Sequence, residues 1–151
     1  MNAAMSEAMS RVPIREGLLS TPLALLDGVR LMGSRCSDCN ETTLGSNRAC
    51  PNCGGNQLSA LKLSRAGKLW TYTVVRHKPP GDYHGPVPFV PFAMGLVELP
   101  EGLRVLAPLE GDLAQIKIGM PLQFRAFVRD GSTAPEVVSF AFTASVAGAR
   151  I

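Results

Sequence analysis

The sequence predicts a mainly β fold in three parts: an N-terminal helical arm, a four-cysteine zinc ribbon and a small five-stranded barrel. Three observations predict it. All four cysteines fall in two C-x-x-C pairs, Cys36 with Cys39 and Cys50 with Cys53, separated by ten residues. Twelve prolines and fifteen glycines among 151 residues favour strands and turns over helices. From Leu58 onward the period of the pattern changes to two, the alternation of half-buried strands.

The arm is assigned to residues 1–35. Residues 1–20 mix Met, Ala, Ser and charges and read as a short helical segment. Thr21 is placed as an N-cap with Pro22 at the first helical position. Leu23, Leu25 and Leu26 then form a short apolar helix that stops at Asp27-Gly28. Arg30 to Arg35 reads as a strand running into the first cysteine pair.

The ribbon is assigned to residues 36–56. A C-x-x-C pair ending in turn-forming residues lets two thiolates converge on one ion while backbone N–H groups point at the sulfurs. Two such knuckles complete the closed tetrahedral set of a structural zinc site, so one structural Zn2+ per chain on Cys36, Cys39, Cys50 and Cys53 is expected. Gly54 and Gly55 follow the second pair, where a positive φ costs least. The insert NETTLGSNRA is polar, as a loop pinned at both ends should be. So small a module holds no core of its own, and the metal would supply its folding free energy. Structural disulfides fit less well, since no signal peptide precedes the pairs. A redox dithiol belongs at the head of a helix in a βαβ unit, which the pattern lacks. Iron suits the same ligands, and CPNCGG also looks like a rubredoxin knuckle, so the ligands leave zinc and iron both open.

The barrel is assigned to residues 57–145, with 146–151 as a tail. Leu69 to Val75 alternates, with Trp70, Tyr72 and Val74 on one face and read as core. Residues 76–92 carry five prolines, too many for a regular element. Ala93 to Leu99 and Leu103 to Leu109 flank the turn Pro100-Glu101-Gly102 and pair as a hairpin. Pro121 to Val128 and Val137 to Phe142 complete five strands, the number of an OB-fold barrel.

An apolar content of 46% suffices for a core. A charged content of 18% is low against the usual quarter or so, which favours a surface that binds another protein, alongside a plain turn-rich β domain. The net charge of +3, with no run of Lys or Arg, does not call for nucleic acid. No segment approaches the ~18 apolar residues of a membrane helix. Free thiols without an export signal point to the cytoplasm.

The order of parts resembles the acyl-CoA-associated OB-fold/zinc-ribbon family, long catalogued as a domain of unknown function. The resemblance is carried by LLDGVRLMGSRCSDC, CPNCGG, GKLWTYTVV, the block PVPFVPFAMGLVELPEGLRVLAPL, IKIGMPLQF and the late FAF, across residues 25–142. It departs in the first helix, where leucines stand for the usual aromatic residue, and in the proline density of Pro79–Pro91. The resemblance implies a small subunit that binds a thiolase-like, hydratase-like or aldolase-like enzyme acting on CoA thioesters, with the thiolase type favoured. It also implies a contribution to the CoA or acyl site, or to stability.

No catalytic constellation appears beside this. A thiolase needs a free cysteine nucleophile, and metal claims all four thiols. A closed four-thiolate site leaves no open position for water. His77 and His84 lie in or beside the Pro-rich loop and read as solvated loop residues. Tyr83 and His84 in GDYHG, and Phe89 further along, are the candidate contacts to a partner or to CoA. Arg35, Arg48, Lys68, Arg76 and Lys78 are candidate donors to CoA phosphates. Two other readings stand beside the accessory subunit. A nucleic-acid-binding ribbon/OB protein needs a basic stripe, and the chain has only four lysines. A rubredoxin-like electron carrier would be coloured and has no need of the barrel.

Overall fold

The computed structural model describes residues 10–145; residues 1–9 of the expected arm and the 146–151 tail lie outside the described residues. Nine strands are described: β1 (Arg11–Pro13), β2 (Met32–Cys36), β3 (Thr42–Leu44), β4 (Leu58–Lys62), β5 (Ala66–Val75), β6 (Phe92–Glu98), β7 (Arg104–Glu110), β8 (Pro121–Val128) and β9 (Glu136–Ala144). Two 3-10 turns, Leu26–Gly28 and Leu113–Gln115, are the helical elements among the described residues.

Strands β5 to β9 close a barrel. β5, β6 and β7 form an antiparallel meander; β9 lies parallel to β7 and antiparallel to β8; β8 returns to β5. Closure leaves no open edge within these five strands. Its interior is apolar, with Phe142 fully buried and in edge-to-face contact with Phe124 at 5.9 Å. The interior is also narrow at β6. A Cβ on Gly95 would stand 2.7 Å from the Leu69 side chain and 2.8 Å from that of Leu109, so a side chain there would have to push both leucines aside. β4, β2 and β3 make a separate three-stranded antiparallel sheet that carries the cysteines.

The helical arm is not found over residues 10–35. Arg11–Pro13 is instead a strand parallel to β9, with Arg11 paired to Glu136 at 3.0 Å. Leu19 bridges Leu31, Ser20 N–H donates to Arg30 O, and Met32 N–H to Leu18 O. The physical reason lies in packing. Leu18, Leu19, Leu23, Val29 and Leu31 are all buried in one core with the barrel, which an extended chain achieves and a single helical turn does not. What remains of the expected helix is the turn Leu26–Gly28, whose N-cap position is Leu25 and not Thr21.

One strand reading also changes. β5 has a bulge between Leu69 and Thr71. Leu69 therefore points into the core, Tyr72 packs against the core, and Trp70 turns outward with 48% of its surface exposed.

Candidate functional site

The two cysteine knuckles are built alike. Cys36 N–H donates to Glu41 O, and Cys50 N–H to Gly55 O. Asn40 N–H returns to Cys36 O at 2.7 Å, and Gly54 N–H to Cys50 O at 2.8 Å. Each chain reversal needs a left-handed residue after the second cysteine of its pair: Asn40 at φ 64° and Gly54 at φ 80°. The sequence supplies the two residue types that tolerate that region best.

The four sulfurs converge, all lying within 4.8 Å of one another. Cys36 Sγ is 3.6 Å from Cys53 Sγ, and Cys39 Sγ is 3.7 Å from Cys50 Sγ. A disulfide would hold them at about 2.05 Å. A tetrahedron with metal–sulfur bonds of about 2.3 Å has edges of about 3.8 Å, so the spacing is that of ligands around one ion. Backbone N–H groups aim at the sulfurs as well: Asn52 at Cys50 and Gly55 at Cys53, each at 3.4 Å. The Asn52 side-chain amide donates to Cys39 Sγ at 3.4 Å.

The electrostatics also fit a cation. The Asn52 side chain, then the Glu41 backbone, hold the Cys39 thiol down to about 7. At Cys53 the Gly55 N–H pulls downward, but the Cys36 and Cys39 sulfurs and burial outweigh it and push the thiol up to about 12. Four thiolates this close repel one another unless a positive ion lies between them. Cys36 and Cys50 are buried, Cys39 is half-buried and Cys53 is exposed.

The candidate cations do not converge. Arg35 and Arg48 are exposed on the ribbon, Arg35 reaching Thr42 Oγ1 at 3.4 Å. Lys68 stands opposite Glu98 at one end of β5, beside a cleft of about 520 Å³. Arg76 and Lys78 follow the other end of that strand, about 26 Å from Lys68 at 3.3 Å per residue. No single phosphate group spans that length.

Tyr83 and Phe89 turn onto the protein, not away from it. Tyr83 lies 5.7 Å from Phe89 and stacks at 6.4 Å on Phe92, the first residue of β6. His84 Nε2 contacts Asp82 Oδ2 at 3.1 Å at the exposed tip. The loop's most exposed apolar side chains are Val90, which adjoins the candidate contact Phe89, and Val87, which the sequence reading passed over. It also passed over Leu106, 61% exposed on β7. Their signal was an apolar residue on the solvent side of a strand or in a proline-pinned loop.

A four-cysteine ribbon joined to a small closed barrel is the class that fold and site define. The sequence family described as ChsH2, C-terminal OB-fold domain, matches residues 61–128. A DUF35 domain-containing scaffold protein of Methanocaldococcus jannaschii is 33% identical over 67% of this chain and 72% of its own length. The benzoylsuccinyl-CoA thiolase subunit BbsA of Thauera aromatica is 28% identical over 74% of each chain. A chain in the solved Ltp2-ChsH2(DUF35) aldolase superposes with a TM-score of 0.55 and 28% identity, covering 73% of this chain and 84% of its own. The chain belongs to the DUF35 family of OB-fold proteins.

Proposed function

We propose that this chain is a non-catalytic accessory subunit of an acyl-CoA-processing complex, and that its catalytic partner is a thiolase-type enzyme. The observation that carries the reading is the likeness to a thiolase subunit over about three quarters of both chains. That protein is a subunit by name, as this chain would be. The division of chemistry follows. The partner supplies the cysteine nucleophile, because all four thiols here converge on one point. This chain binds the partner and helps to shape its CoA or acyl site.

The metal in this reading is one structural zinc held by Cys36, Cys39, Cys50 and Cys53. Zinc favours a closed thiolate tetrahedron and brings no redox chemistry with it. When bound, it supplies folding free energy to a sheet of three short strands. A reduced four-thiol cluster suits the cytoplasm. The likeness to the Ltp2-ChsH2(DUF35) aldolase favours a second reading, in which an aldolase fills the same catalytic role.

Native mass spectrometry on the protein purified gently from its own cells tests both. The expected result is one zinc per chain and a stable complex with a thiolase-type subunit. An aldolase in that place selects the second reading. A zinc-loaded chain with no catalytic partner overturns both.

A further inference from the structure

The outer face of the β5–β6–β7 meander breaks the rule that a barrel strand is apolar inside and polar outside. Along β6 the inward residues are the small Ala93 and Gly95 and then Val97, all fully enclosed. The outward residues are the large ones: Phe92, Met94 and Leu96. The core does not require them, since Leu69 and Leu109 already crowd the space at Gly95.

The neighbours extend this row. Leu106 stands opposite Leu96 and Pro108 opposite Met94 on β7. From the other side the bulge in β5 expels Trp70. The Arg104 guanidinium, on β7, lies 3.6 Å from the centre of its ring, so the indole reaches across β6. At the far end Tyr83 and Phe89 pack on Phe92, and Val90 enters β6 just before it with 53% exposure. The result is an apolar strip down the centre of one barrel face, with a Trp and an Arg in it, the residue types that dominate binding hot spots.

Charge surrounds the strip unevenly. Lys68 and Arg104 both face the one carboxylate of Glu98 at one end. Arg76 and Lys78 are exposed beyond the other end, with no ion pair among the described residues. Against these stand Asp82, exposed at the loop tip, and Glu110, which Arg125 neutralises, so the rim is net basic. Two copies joined face to face about a two-fold axis would set like-charged rims against each other. Single-stranded nucleic acid needs free aromatic faces, and Arg104 already covers one face of Trp70.

We infer that this outer face, centred on Leu96, Leu106 and Trp70, is the docking surface for the catalytic subunit, which meets it with an apolar patch rimmed by carboxylates. The inference rests on the accessory-subunit reading above and assigns it a surface.

The chain's single tryptophan lies in the strip, which makes the test direct. The full, metal-loaded chain carrying 5-fluorotryptophan gives one 19F resonance, and the catalytic subunit that co-purifies with it is titrated in unlabelled. Docking on this face should shift that resonance. Leu106→Asp should weaken binding by about thirtyfold or more, as at a hot spot. At 61% exposure an aspartate there meets water, and hydrogen-exchange protection of β5–β9 in the unbound variant verifies that its barrel is folded. Leu25→Asp, 69% exposed on the arm and outside the strip, should bind within about twofold of the parent. If the complex forms but the resonance stays put and Leu106→Asp binds like the parent, the face is wrong and the accessory-subunit reading survives. If no acyl-CoA enzyme co-purifies, that reading fails and takes the face with it. A resonance that moves with the chain's own concentration, or with single-stranded DNA in place of the catalytic subunit, also overturns the assignment.

Discussion

Lowering the pH from 8 to 6 should strip metal from the ribbon, and the site sets how steeply. A four-thiolate centre holds its ion with every cysteine deprotonated, so each thiol protonated in the free site must release a proton on loading. Cys53, pushed up to about 12 by its sulfur neighbours, keeps its proton across the whole range. Its share of the apparent affinity falls about tenfold per pH unit, or about a hundredfold in all. Cys39, held at about 7, passes from mostly thiolate to mostly thiol and contributes about a further tenfold. The sign is the same for both, because acid stabilises the free site and not the loaded one. Together these two should lower apparent metal affinity by about a thousandfold. Competition against a chelator of known proton affinity at pH 6, 7 and 8 measures it. Cobalt(II) as a stand-in reports the number of thiolates from its sulfur-to-metal absorption. A drop smaller than about tenfold would refute the four-thiolate centre, since one obligate thiol such as Cys53 already demands more than that.

Three further outcomes are expected. Cys36→Ser, at a buried position, should release the metal and open β2–β4 to hydrogen exchange most strongly, with a weaker loosening at the β6–β7 hairpin while β8 and β9 stay protected; one zinc per chain in the variant would remove Cys36 from the ligand set. Asn52→Ala deletes the side-chain donor to Cys39 and should lower metal affinity about tenfold to a hundredfold by chelator competition, whereas an unchanged constant would make that contact incidental. Phe142→Ala empties the centre of the barrel and should cost about 3–5 kcal/mol in denaturant unfolding; a cost below about 1 kcal/mol would mean the barrel closes without it.

The cysteine cluster was legible because its information is local. Two C-x-x-C pairs, each followed by Asn40 or Gly54, specify both the converging sulfurs and their turns within a few residues. The barrel strands were legible because period two survives in β6, β7 and most of β8, and the hairpin at Pro100–Gly102 lies where the turn residues put it. The arm was misread because Leu23, Leu25 and Leu26 after Thr21-Pro22 satisfy short helical spacing as easily as an extended chain, and only the packing of Leu18, Leu19, Leu23 and Leu31 on the barrel decides. Trp70 was misplaced for a related reason. A bulge inserts one residue without altering composition, and every alternation counted through it flips face. The outward row on β6 was hidden by the convention that the larger of two alternating apolar sets is the buried one. At Gly95 the barrel is too narrow for that convention to hold.

The cysteine ribbon and the β5–β6–β7 face are connected through one core. Leu31 at the foot of β2 and Leu63 after β4 are both essentially fully buried, in the same cluster as Val97 and Leu109 of the meander. Leu63 N–H donates to Leu31 O, and the Arg30 guanidinium clasps Leu63 O through two contacts of 3.0 and 2.8 Å. Glu101, in the β6–β7 turn, accepts from both the N–H and the hydroxyl of Ser64, each at 2.9 Å. The ribbon is thus tied at its base to the turn that joins the two strands bearing Leu96 and Leu106. Releasing the ion frees the knuckles first, but any loosening that reaches Leu63 also loosens Ser64 and, through Glu101, the β6–β7 hairpin. Metal loss and the loss of a single apolar contact should therefore differ in kind: Cys36→Ser broadens the Trp70 resonance before any partner is added, and Leu106→Asp does not.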